Sequence, residues 1–545
     1  MTPFDSAAAR LRSGLAVVGL LLVACKSAPA PRPETDSTTA DAGTVAVAAS
    51  SMPDPAVKPA SPVPARPLAT TTPMQVVKLA TPRPIVSLRL AFRAGSIDDP
   101  PGKEGLTALT TRLLVEGGTK TYSSAQLLDV LYPLAGEIDA STDKELSVIS
   151  GRVHKDKLDA FLKVFTEVLL DPRFDEKELE RLKTAALNSI KNRLRSENDE
   201  ALGKVTLDAL LYAGHPYGHY VGGTVKGLTS ITMADVKAHW KNVMTQDRLI
   251  IGLAGPVDVK LENAVKAAAK KLPEKGVAAV TLPPAPGPLG QTLIVKKDTA
   301  STAGSFGFTY SLRRGDPDFF AVALALSYLG EHRQMHGVLF TELREKRGLN
   351  YGTYAYAEHF EQEGWSSISR VNIPRSTQES TLWLRPVEPQ NAMFATRGAV
   401  HYLSELLKAP PPADKLDTAR GFLIGYTRIW EQTDPRRLGW LIDDLLYGTP
   451  GHLEKYRAAL AKLTPEEVQA AAARHLDVAN LNFVFVTKDA EGLAQAVKAR
   501  MPSPITYPSP KAPDVLETDK VIAEVPLPTP STQVRVIDAA TVMEQ

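Results

Sequence analysis

Two histidine pairs raise the first question, because imidazoles four residues apart on a helix share one face and can grip a metal. His332 and His336 have that spacing, with Glu331 beside them, on what reads as a helix. No third ligand stands near, so they are read as packed or surface histidines. His215 and His219 repeat the spacing, but Gly214-His215-Pro216-Tyr217-Gly218 is a turn sequence, since Pro216 fixes φ and removes a donor. Arg344 and Tyr351 offer different chemistry: a guanidinium and a phenol can both hydrogen-bond a peptide carbonyl or a developing oxyanion. Taken by composition alone, they mark a helix end and a turn, with Arg344 in a surface ion pair. The one cysteine, Cys25, rules out an intrachain disulfide and a thiolate metal cluster, so a metal site would have to use His, Asp or Glu. The 63 basic and 61 acidic residues leave a net charge of +2, which argues against a nucleic-acid binder.

The elements that must position these groups follow from the pattern of the chain. Its 545 residues exceed one ordinary core. Arg10 and Arg12 precede an apolar run over 15–24, too short to span a bilayer comfortably and suited to a cleaved export signal. Leu22-Val23-Ala24-Cys25 resembles the lipobox of bacterial lipoproteins. That resemblance implies a lipoprotein signal over 1–25, cut just before Cys25, which is acylated and becomes the new N-terminus, with the acyl chains holding the protein to a membrane. Lys26 after the cysteine points to the outer membrane, facing the periplasm. Residues 26–74, rich in Pro, Ala and Thr, read as a tether. The middle is duplicated: Thr232 and Thr464 open matching helices, Leu249 and Leu481 open matching strands, and both offsets are 232. Both helices begin with a capping signature, Thr232-x-x-Asp235 and Thr464-x-x-Glu467. The expected domains are 75–282 and 291–500, joined by a Pro-rich linker at 283–290 and followed by an extended Pro-rich tail at 501–545. Alternation predicts strands at 85–92 and 146–150; helical spacing predicts helices at 106–114, 158–170 and 175–194. The mixture gives an α+β fold of two homologous domains, each an antiparallel sheet with helices on one face.

Phe92-Arg93-Ala94-Gly95-Ser96, Gly105-Leu106-Thr107-Ala108, the run from Phe174 to Glu180, Gly214 to Gly218 and Leu343 to Tyr351 together resemble the insulinase/pitrilysin family, which includes the mitochondrial processing peptidase. The resemblance covers about residues 75 to 500 and implies half of a clamshell-shaped peptidase. The family's chemistry is zinc hydrolysis, with an inverted His-x-x-Glu-His helix and a glutamate on the next long helix. Aligned on Gly105-Leu106, those slots hold Ala108, Thr111 and Arg112; aligned on Gly118-Thr119, they hold Leu109, Arg112 and Leu113. The first histidine of the chain is His154, and the third-ligand region carries Asn188 and Ser189. The resemblance therefore implies a chain without the catalytic motif or a bound cofactor, beside a homologous partner subunit that carries zinc. Arg344 and Tyr351 match the pair that, in the family, lines the chamber and positions an unfolded peptide substrate. The alternative is a non-enzymatic envelope scaffold or peptide-binding protein on the same fold. A peptidase in its own right would need a ligand set that the sequence lacks.

Overall fold

The computed structural model of the protein describes residues 61–287, 290–364 and 367–545; the export signal, Cys25 and most of the tether lie outside the described residues. The duplication is present element by element. Helix Met233–Val243 returns as Pro465–His475, and strand Leu249–Gly255 returns as Asn482–Thr487. Each helix starts on its threonine with a complete capping box, so both orphan N–H groups find side-chain oxygens.

The first half forms a sheet from β1 (Gln75–Ala80), β2 (Ile85–Phe92), β3 (Glu137–Thr142), β4 (Ser147–His154) and β5 (Leu249–Gly255), in the order β1-β5-β2-β4-β3. The second half uses β6 (Thr292–Lys296), β7 (Thr302–Tyr310), β8 (Thr353–Tyr356), β9 (Gln378–Val387), β10 (Asn482–Thr487) and β11 (Val534–Asp538), in the order β11-β6-β10-β7-β9-β8. The α+β duplication is as expected, but the sheets are mixed and not purely antiparallel. β1 runs parallel to β5, and β6 runs parallel to both β10 and β11. Parallel neighbours require a long crossover, and here whole helical layers intervene between the paired strands.

The helices that shape the site are α1 (Leu106–Glu116), α2 (Glu176–Asn188), α3 (Asp199–Leu211), α4 (Phe319–Gly330), α5 (Asp434–Tyr447) and α6 (Pro513–Glu524). Two of them change sides. α3, from the first half, lays Leu202, Leu207 and Leu211 against Val295, Ala303, Val484 and Val486 of the second sheet. α5, from the second half, lays Leu438, Ile442 and Leu446 against Ala91, Val148, Ile250 and Ala254 of the first. Each sheet is thus covered on both faces, not one. Double burial explains why Leu249-Ile250-Ile251 reads as a continuous apolar run with no alternation: β5 is buried at every residue. The exchanged helices approach closely. A Cβ on Gly203 of α3 would sit 3.1 Å from the Ser305 hydroxyl, and one on Gly252 of β5 would sit 3.0 Å from Ile442.

The tail at 501–545 is also part of the fold and does not trail over the surface. α6 starts at Pro513, where a fixed φ favours the first helical turn. It buries Ile522 in the second core, and β11 completes the second sheet. The prolines punctuate these elements. The tether joins earlier than expected as well: Val63 and Ala285, in the linker, exchange backbone hydrogen bonds of 2.9 and 2.8 Å, and Leu68 is buried.

Candidate substrate chamber and degenerate metal site

α1 begins after Gly105, whose φ of +101° suits a residue without a Cβ. Ala108 and Arg112, one turn apart on α1, face a cavity of about 190 Å³ together with Ala186, Ser189 and Tyr220. Ser189 opens a π-helical segment, Ser189–Glu197, that continues α2. Its wider turn puts Ser189 into the cavity and leaves Asn188 exposed. Of the two residues expected in the third-ligand region, Asn188 and Ser189, only Ser189 lines this cavity.

These residues do not fit a zinc ion, which needs imidazole, carboxylate or thiolate donors. Ala108 has no donor atom. The Thr111 hydroxyl is buried and donates to the Thr107 carbonyl at 2.8 Å. Arg112 brings a positive charge, its Nε donating to Glu116 at 2.9 Å.

The same face opens into a larger chamber of about 510 Å³, which Ala108, Thr111 and Arg112 line with Asp208 of α3. Its far wall belongs to the second half: His359, Arg375, Glu379 and Trp383. The halves are tied across it by ions that no sequence motif announced. Arg375, 1% exposed, grips Asp143 through Nε and Nη2 at 3.2 and 3.1 Å. Burial opposes the Asp143 charge most strongly, but Arg375, His359 and Lys144 together outweigh it and hold the carboxyl below its usual range. Lys144 donates to the Tyr217 carbonyl at 2.7 Å, and burial pushes its pKa down to about 8. Glu145 accepts from Ser376 N at 2.6 Å and from the Tyr217 hydroxyl.

His359 Nδ1 lies 2.7 Å from Glu379 Oε1. Burial disfavours the charged ring and Arg375 adds to that, yet the bond to Glu379 and its charge hold the His359 pKa above the ordinary value. Asp208 is pushed up to about 6, by burial first and then by the charge of Glu379. Two donor groups converge on the one imidazole: Asp143, His359 and Glu361 form one, and Asp208, His359 and Glu379 the other, with ligand atoms within 4.8 Å of one another in each.

Arg344 and Tyr351 are brought together, in a different cavity. The π-helical turn Phe340–Glu345 carries Arg344. Its guanidinium carbon lies 4.4 Å from the centre of the Tyr351 ring, and Nη1 donates to the Tyr351 carbonyl at 3.0 Å. Tyr351 is 65% exposed. The pair lines a cavity of about 450 Å³ with Glu200, His332 and Arg385, whereas the α1 slots line the other two.

The histidine pairs are not metal sites. α4 ends at Gly330, so His332 and His336 sit on turns and share no helix face. The His332 ring stacks on Tyr354 at 3.7 Å, and burial, then Lys204, drive its pKa down to about 3. His336 is exposed. His215 Nε2 meets the Pro283 carbonyl at 3.1 Å and His219 Nε2 meets Asp99 at 3.3 Å, in the turn the sequence indicated.

Comparison with known proteins agrees with this geometry. Residues 75–223 match the family model described as Insulinase (Peptidase family M16), and residues 230–381 match that of the Peptidase M16 inactive domain. A Helicobacter pylori protein named "Non-peptidase homolog YmxG" is 23% identical over 73% of this chain and 88% of its own. The Bacillus subtilis "Uncharacterized zinc protease YmxG" is 25% identical over 52% of this chain and 67% of its own. Among solved structures, a peptidase M16 inactive domain from Pseudomonas fluorescens superposes with a TM-score of 0.67 at 25% identity, covering 77% of this chain and 97% of that one. A protease from Helicobacter pylori gives 0.62 at 18% identity, over 77% and 98%.

Proposed function

The chain belongs to the insulinase (M16) peptidase family, and from that premise we propose that it is a zinc-less subunit completing the chamber of a zinc-bearing homologous partner. The partner would supply the metal and the attacking water. This chain would supply chamber wall and substrate contacts, acting on unfolded peptides in the bacterial envelope, where acyl chains on Cys25 would anchor it.

One observation carries the reading. The face of α1 that would carry the ligands holds Ala108, Thr111 and Arg112, while the cavities beside it remain open. Loss of metal chemistry without collapse of the space fits a chain still selected to enclose something. Arg344 and Tyr351 support the division of labour. They are locked to each other by stacking, and the exposed Tyr351 phenol is free to meet a peptide held by a second subunit.

The test is coexpression with the zinc-bearing homologue. Arg344→Ala and Tyr351→Phe should leave assembly intact and cut peptide turnover of the complex, each by on the order of 10²–10³ if it donates to the transition state. Full turnover in both variants would reduce the pair to an architectural role.

A second reading, a non-enzymatic scaffold or peptide-binding protein, is favoured by the printed name of the Helicobacter relative, a non-peptidase homolog. Failure of any zinc peptidase to copurify would move the conclusion there.

A further inference from the structure

The wall of the large chamber opposite α1 carries donors that α1 lacks. Asp208 comes from α3 of the first half; His359 and Glu379 come from the segment after β8 and from β9 of the second. One ligand atom from each lies within 4.8 Å of the others, and all three line the cavity of about 510 Å³.

Two further observations point to a cation there. Glu379 is 1% exposed and its Oε2 is buried with no hydrogen-bond partner, beside the Oε1 that meets His359. A buried carboxylate oxygen left without a partner is unfavourable until something pairs with it. Most of the cations around the chamber are committed elsewhere, while Arg375, whose Nη1 has no hydrogen-bond partner, acts on both Glu379 and Asp208 by its charge. Arg375 spends Nε and Nη2 on Asp143, Lys204 is on Glu200 at 2.6 Å, Arg370 is on Glu361 at 2.8 Å, and Lys144 is on backbone carbonyls. Asp208 and Glu379 lie against one imidazole, which Glu379 holds through Oε1 alone.

We propose that Asp208, His359 and Glu379 bind one divalent transition cation of the zinc or manganese class. One imidazole and two carboxylates suit those metals better than calcium or magnesium, which take all-oxygen shells. Three protein ligands leave a further position open toward the chamber, where a water or a substrate carbonyl can stand. The ion would join α3 of one half to β9 of the other. This site shares no residue with the α1 face, goes beyond the proposed function, and departs from the expectation that the chain holds no metal.

The test uses the purified full chain, stripped with chelator and titrated separately with zinc and manganese chloride. The expected result is about one equivalent bound per chain and a raised melting temperature, since a ligand specific to the folded state stabilises it. Asp208→Asn and Glu379→Gln, which keep side-chain shape, should each weaken binding by on the order of 10–100-fold or more, and the double variant should abolish the thermal shift. Anomalous scattering from metal-soaked crystals, which needs no variant, should place the ion among the three residues. Binding well below one equivalent with both metals, an ion located elsewhere, or a double variant that binds like the parent overturns the proposal. Because no partner is needed, these outcomes are independent of whether a zinc-bearing subunit copurifies.

Discussion

Arg375→Met tests whether the buried ions across the chamber hold the two halves together. Arg375 and Asp143 are almost wholly buried, at 1% and 3% exposure, and pair in a fork at 3.1 and 3.2 Å. Removing the guanidinium strands the Asp143 carboxylate without its counter-ion, and breaking such a pair costs about 3–5 kcal/mol. The lower half of that range is expected, because Nη1 of Arg375 is itself unsatisfied in the parent and Lys144 still faces Asp143. Asp143→Asn alone leaves the arginine stranded and should cost a similar amount. The double variant removes both charges and should cost much less than the sum, with the coupling read from a double-mutant cycle in urea unfolding. The pH dependence has a fixed sign. Asp143 is held below its unfolded value of about 4, so the pair's contribution is complete above that value and is lost as pH falls through the depressed folded value. The gap between parent and Arg375→Met should therefore be full at neutral pH and shrink in strong acid. A loss below about 1 kcal/mol at neutral pH, small beside the range for a broken buried pair, would falsify the argument, as would additivity in the cycle.

Three other outcomes follow from the fold. Ile522→Ala, at a fully buried position of the tail helix, should destabilise the protein by about 2–4 kcal/mol; a change within about 0.5 kcal/mol, typical of surface sites, would mean the tail does not pack. Gly439→Ala places a Cβ against Val371 and Arg89 where α5 crosses the first sheet, and overpacking of about 1–3 kcal/mol should appear in the same unfolding assay. Cys25→Ser should move the protein from the membrane fraction to the soluble one, and retention there after normal signal cleavage would sink the lipid-anchor reading.

The sequence by itself determined the duplication, the α+β class and the residue types that stand at the zinc slots of the family. Each is written locally. Capping threonines lie 232 residues apart, strands and helices announce themselves by period, and a ligand slot holding alanine or arginine cannot become a donor in any fold. Arg344 and Tyr351 were singled out by the family resemblance, but their contact with each other is a product of the fold, which carries the chain from the π-helical turn at Phe340–Glu345 back over Arg344.

Tertiary structure decided what depends on distance along the chain. The exchange of α3 and α5 between sheets could not be read from either helix, since an apolar face does not say which sheet covers it. The tail looked extended because its prolines dominate its composition, yet parallel pairing of β11 with β6, over 230 residues earlier, gives it a place in the sheet. The helix expected at 331–336 failed because α4 stops at Gly330, which leaves His332 half-buried and His336 exposed on separate turns. The densest chemistry of the molecule gathers Asp143, Asp208, His359, Arg375 and Glu379 from four separate stretches. No spacing rule links them. They become a site only because both sheets close on one chamber, where burial makes every charge seek a partner.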